Sequence, residues 1–237
     1  MDILGFSIPS GYELPFIFTL IIIAVKFILS LFLSYKIVKK RKAENAVAAS
    51  FLSGVFFLII CLLVSRILYA NFDFILTKFD TSTYADFPNI WYWKTGSLIS
   101  SYGIGVLLII IDRKVMQNKF KGIFGVIVFA AATTQFLYPV NNFADFTLVS
   151  DIGTLAGLCD LLIPILFFWI GAKTPGLRKT SFSVAIGTII YVIGGASVSA
   201  TFINLFGTTP DVMYAISTIL KTIGLVMITY GATHFAG

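Results

Sequence analysis

The stretch LPFIFTLIIIAVKFILSLFL, residues 14–33, is followed at once by Lys36, Lys39, Lys40, Arg41 and Lys42, and this pair of features decides the fold. At about 1.5 Å of rise per residue, a helix of that length crosses the roughly 30 Å hydrocarbon core of a bilayer. Ahead of the run stand Asp2 and Glu13 and no cation; behind it stand five cations. A signal peptide has the opposite order, with positive charge first and a shorter apolar core. Residues 14–36 therefore read as a membrane helix that enters with its N-terminus outside.

Working outward, six further apolar runs cover residues 46–70, 90–111, 121–139, 150–171, 180–206 and 212–233. In lipid the backbone must satisfy its own hydrogen bonds, so such runs are helices. The two-residue alternation of a membrane barrel is absent. Composition agrees, because only 12% of the 237 residues are charged and 58% are hydrophobic, against about 25% charged in soluble domains. The expected fold is all-α: one polytopic seven-transmembrane-helix domain over residues 1–237, with the C-terminus in the cytoplasm shortly after the seventh helix. Ala130-Ala131-Ala132 and Gly194-Gly195-Ala196-Ser197 mark faces where backbones pack closely.

Orientation follows from charge. Lys36, Lys39, Lys40, Arg41 and Lys42 follow the first run, Arg113, Lys114, Lys119 and Lys121 the third, and Lys173, Arg178 and Lys179 the fifth. The alternate loops hold Asp73, Asp80, Asp86, Asp145, Asp151 and Asp211 with one cation, Lys78. The cation-rich loops belong in the cytoplasm, so the chain is expected to be a multi-pass protein of a cell membrane. Trp91, Tyr92 and Trp93 suit the outer interface. Prolines mark helix ends at Pro15, Pro88, Pro139 and Pro210, whereas Pro164 is expected to kink the fifth helix. The basic rim sets topology or also holds acidic lipid headgroups. Nucleic acid is excluded as a partner, because the cations are divided among short loops. Cys61 and Cys159 fall within apolar runs and read as small buried hydrophobes.

Ionisable groups inside a membrane are expensive, so each is a functional candidate. Lys26 lies about twelve residues into the first run, Asp160 about ten into the fifth and Lys221 about ten into the seventh. With these helices parallel, all three share a depth. They form either a buried ion pair, Asp160 with Lys26 or Lys221, or a polar site for a solute, ion or ligand head group. Pro164, one turn after Asp160, frees a backbone carbonyl beside that carboxylate. Lys26 has the alternative of snorkelling along its own helix. Arg66 and Lys94, near the outer helix ends, pair with loop aspartates or form an outer vestibule for an anion. The outer loop between them carries Phe72, Phe74, Phe79 and Tyr84, which could fold over the bundle mouth as a lid.

Lys94-Thr95-Gly96 and Lys221-Thr222-Ile223-Gly224 form a weak internal echo, of the kind left by a duplication of three helices. No catalytic residue set, metal-ligand cluster or phosphate-binding glycine loop is legible, the lone histidine being His234, three residues before the last. Neither enzymatic activity nor a cofactor is expected. Trp93-Lys94-Thr95-Gly96, Lys173-Thr174-Pro175-Gly176-Leu177-Arg178-Lys179 and the stretch from Lys221 to Phe235 resemble uncharacterised seven-helix membrane proteins of archaeal, Asgard-type genomes. That resemblance covers most of the chain. It implies the fold and the membrane location, and assigns no activity and no functional residue.

Three functional readings follow. The leading one is a receptor-like or sensor-like protein that detects an unknown small ligand and reports through its basic loops to a cytoplasmic or membrane protein partner. The second is a small-solute transporter with a midplane polar site, and the third is a structural subunit of a membrane complex. A fourth, retinal binding through a Schiff base at Lys221, lacks its usual company. The third run has no mid-depth carboxylate, Asp112 lying at its cytoplasmic end, and the sixth has no Trp. Under that reading, added retinal gives a visible absorption band that Lys221→Ala removes; absence of a band in the wild type ends it.

Overall fold

The computed structural model describes residues 2–3, 5–42 and 46–235. After a minimal ladder in which Asp2–Ile3 pairs with Phe6–Ser7, the described chain is helical. The α-helices are α1 (Glu13–Lys42), α2 (Ala46–Ala70), α3 (Asn89–Ile110), α4 (Ile123–Leu137), α5 (Phe143–Gly157), α6 (Leu162–Lys173), α7 (Arg178–Ala196), α8 (Ala200–Phe206) and α9 (Pro210–His234). Wider π-turns extend α2 through Asn71–Leu76 and α3 through Ile111–Val115. Five helical stretches are long and apolar enough to cross a membrane: Glu13–Lys40, Ser50–Leu76, Asn89–Val115, Pro175–Ala196 and Pro210–His234. Helices α4 and α6 are apolar but shorter. The chain is an all-helical, membrane-embedded protein.

Packing runs round a ring. Helix α1 lies on α2, α2 on α3, α3 on α4 and α4 on α5; α6 then lies on α7, α7 on α9, and α9 returns to α1. Paired residues give the directions. Arg66 meets Thr19 and Lys26 meets Leu62, so α1 and α2 are antiparallel. Thr218 meets Phe18 and Lys40 meets Phe235, so α9 is parallel to α1.

Two of the expected runs are divided. Residues 150–171 belong to a stretch that starts at Phe143 and is interrupted by a 3-10 turn, Leu158–Leu161. Pro164 sits in the first turn of α6. It lacks the N–H that an unbroken helix would donate to the Asp160 carbonyl, and the break precedes it. The expected kink at Pro164 is therefore a change of helix geometry at Asp160. Residues 180–206 divide at Ser197–Ser199. Ser197 Oγ donates to Gly194 O (3.0 Å), and Ser199 caps α8 by accepting from Phe202 N–H (3.4 Å).

Glycines set the closest approaches. A Cβ on Gly224 would lie 2.6 Å from Gly187 O and 2.8 Å from Tyr191 N, and one on Gly187 would lie 2.8 Å from Gly224 O. These neighbours are backbone and cannot turn aside, so α7 and α9 touch main chain to main chain. One end of the core is sealed by Phe51, Phe167 and Phe235. That end also carries exposed Lys39, Arg113, Lys114, Lys173, Arg178 and Lys179. There Asp112 clamps the α3–α4 connection. Its buried carboxylate accepts from Phe120 N–H (2.9 Å) and Gly122 N–H (2.6 Å) across a turn in which Gln117, Asn118 and Lys121 have positive φ.

At the opposite end the 77–88 loop folds back onto the bundle. Tyr12 and Phe79 stack with centroids 4.0 Å apart, Phe74 meets Phe16, Phe79 and Tyr214, and Phe72 meets Tyr84 and Phe146. Asp80 opens a 3-10 turn by accepting from the backbone N–H and hydroxyl of Ser82, which holds its carboxyl below the ordinary range. Cys61 is buried against Gly103; the side chain of Cys159 lies outside the described residues.

The α7–α9 contact predicts opposite behaviour for two glycines. Gly224→Val is expected to destabilise the protein by about 1–3 kcal/mol, read as earlier thermal unfolding in detergent. A Cβ on Gly195 meets nothing within 4 Å, so Gly195→Ala is expected to leave the transition in place or raise it.

Candidate functional site

Helix α1 turns one face inward: Thr19, Ile22, Lys26, Ser30, Leu33 and Ile37 are all buried at helical spacing. Lys26 is in the middle of that stripe, 3% exposed. It does not snorkel. Its Nζ donates to Leu62 O (2.8 Å) and lies 5.8 Å from the centre of the Tyr191 ring, a cation–π contact. From α2, Arg66 Nη2 donates to Thr19 Oγ1 (2.7 Å), while its Nε is buried without a partner among the described residues. From α9 comes Lys221, packed against Gly194 of α7.

These three cations and Asp160 line one cavity of about 290 Å³, together with Tyr69 and Tyr191. The three intramembrane residues singled out by sequence thus meet on one wall. The expected ion pair does not form. Asp160 Oδ1 is buried with no hydrogen-bond partner among the described residues. The cations instead share the cavity lining with one another and with Asp160. Burial without ion pairing costs several kcal/mol for an ionised group in a low-dielectric interior, so the cavity favours neutral forms of these side chains or an occupant that supplies counter-charge.

A second cavity, of about 250 Å³, adjoins the first between α3, α4 and α5. The two share Tyr69, Ser100, Ile104 and Asp160 in their walls. Its polar lining is neutral apart from Asp160. Ser97 Oγ donates to Gln135 Oε1 (2.7 Å), Gln135 Nε2 donates to Val149 O (3.1 Å), and Ser100 Oγ donates to Ser97 O (2.9 Å). The Tyr69 phenol lies beside Ser65, Ser97 and Ser100.

Arg66 and Lys94 do not share a vestibule. Arg66 faces the interior cavity, whereas the buried Lys94 ammonium donates to Tyr138 O at the end of α4. Lys94 and Lys221, matched in the sequence echo, thus have unlike settings. Tyr69, Tyr191 and Gln135 were not foreseen. Gln135 had a readable signal, as a lone amide in an apolar run; the tyrosines had none. Among the described residues no group of three or more His, Cys, Asp or Glu is placed to hold a metal ion.

No protein-family model matches the chain, and neither a curated protein nor a solved structure matches it.

Gln135 is 2% exposed and joins α3 to α5. Replacing it with Leu leaves the Ser97 hydroxyl and the Val149 carbonyl without their partner. Gln135→Leu is expected to destabilise by about 1–3 kcal/mol, measured by thermal unfolding of the purified protein.

Proposed function

We propose that this is a seven-segment, multi-pass protein of a cell membrane that binds a small charged solute in its interior and carries it across the bilayer. One observation carries the reading: Lys26, Arg66, Lys221 and Asp160, from four separate segments, converge on one cavity and, among the described residues, form no ion pair with one another. A purely structural set of charges would close into an ion pair, because an unpaired charge in such an interior is costly. The break at Leu158–Leu161 supports transport in particular. Irregular backbone at membrane depth is tolerated where it lines a cavity, and interrupted helices build the substrate sites of many transporters.

Asp160 stands at this break and in the walls of both cavities, so it is placed to respond to a solute in either. The solute would replace the missing counter-charges, and its departure would restore their repulsion. The N-terminus-outside orientation belongs to this proposal and rests on the separation of acidic and basic loops.

A receptor-like role is the second reading, favoured by the exposed cations gathered at one end of the bundle. There a cytoplasmic or membrane protein partner could read the state of the cavity. Arg41 and Lys42 belong to that basic group by sequence; their side chains lie outside the described residues.

Proteoliposomes loaded with a defined mixture of small acids, amines and sugars test transport. The wild type is expected to exchange at least one solute faster than empty liposomes, read by mass spectrometry, and Asp160→Asn to lose that exchange while eluting as a folded protein. Unchanged exchange in the variant contradicts the role given to Asp160. For the receptor-like reading, neutralising Lys39, Lys40, Arg41 and Lys42 is expected to weaken capture of a partner, with topology verified in parallel.

A further inference from the structure

The two adjoining cavities differ in what they offer a ligand. The first presents donors and positive charge from Lys26, Arg66 and Lys221. Lys26 has given one of its three N–H groups to Leu62 O, and Arg66 Nε keeps its hydrogen unused. The second is lined, besides Asp160, by neutral hydroxyls and an amide, several of which can accept. The Ser97 and Ser100 hydroxyl hydrogens are committed to Gln135 Oε1 and Ser97 O, so these oxygens offer lone pairs. Asp160 in its ionised form can only accept, and it stands at the seam between the two. Trp93 adds an aromatic ring to the second wall.

A ligand matching both chambers has an anionic head and a body rich in O–H donors. Three cationic side chains face the first chamber against one carboxylate, Asp160, which favours an anionic head over a neutral one. A neutral sugar would leave the cations uncompensated. A fatty acid would leave the second chamber's acceptors facing hydrocarbon, which costs binding energy for each polar group left unmatched. At about 290 and 250 Å³, the chambers together fall within the ~300–1,000 Å³ of small-molecule sites.

We infer that the bipartite cavity binds a small polyhydroxylated monocarboxylate, a sugar acid, with its carboxylate among Lys26, Arg66 and Lys221 and its hydroxyls against Asp160, Ser97 and Ser100. This rests on the interior cavity being a ligand site, and it names the class of ligand.

The test is calorimetric binding to the full-length protein in nanodiscs, with gluconate, glucose, hexanoate and inorganic phosphate as probes. Gluconate is expected to bind at least about tenfold more tightly than the other three, since hexanoate and phosphate lack its chain of hydroxyls and glucose lacks its carboxylate. Lys221→Met and Ser101→Leu, one in each chamber's wall, are each expected to weaken gluconate by about tenfold or more, with thermal unfolding as the check on folding. Wild-type protein that binds glucose, hexanoate or phosphate as tightly as gluconate overturns the inference, whatever the variants do. So does an absence of gluconate binding alongside measurable exchange of another solute, which leaves the transport proposal standing. Tight gluconate binding without any flux supports the inference and counts against transport instead.

Discussion

Ionisable side chains buried in an apolar interior without ion pairing are the constraint on which the rest of this structure depends. Lys26, Arg66 and Lys221 are held by helices long and apolar enough to cross a membrane, and Asp160 by the turn that precedes the apolar α6. Each charge would be cheaper in water or in an ion pair. What holds them in place is the packing on either side: the Phe51, Phe167 and Phe235 cluster toward the basic end, and the aromatic group around Phe74, Phe79 and Tyr214 toward the other. Glycine contacts between α7 and α9 bring Lys221 and Tyr191 to the cavity by removing any side chain between the backbones. The polar interior is thus imposed by a rigid apolar frame.

The division of the fifth and sixth runs fits the same constraint. Around Asp160 the α geometry gives way to a 3-10 turn, and Pro164 removes a backbone donor one turn later. Main-chain groups near the carboxylate are thereby freed from the helix ladder at the depth where two cavities meet. An unbroken helix would present the same carboxylate with its backbone already satisfied. The break concentrates polarity at one point, where a ligand could satisfy it.

Much of this was legible in the sequence. The length of the 14–33 run and the cations behind it imply a membrane helix, and the similar depths of Lys26, Asp160 and Lys221 follow from counting along parallel helices. The rule that membrane charges are costly makes those three stand out in any apolar background. Arg66 was visible too, but its position near a helix end pointed to the outer rim; only the rotation of α2 about its axis, seen in its contacts with Thr19 and Lys26 of α1, turns it inward. Tyr69, Ser97 and Ser100 were not legible, because hydroxyl residues are ordinary in membrane helices and their role depends on which face meets which neighbour. The expected ion pair failed for a similar reason. Depth can be counted from sequence, whereas distance across a bundle cannot.

The central claim is that these charges line a real, basic cavity, and its electrostatic sign can be measured directly. Ser100 stands in the walls of both chambers. With Cys61 and Cys159 replaced by Ser, a Ser100→Cys protein can be treated in detergent with two small thiosulfonates of equal size, one anionic and one cationic. The account predicts faster modification by the anionic reagent, with the preference lost when Lys26, Arg66 and Lys221 are neutralised. Equal rates, a faster cationic reagent or no modification by either would contradict it.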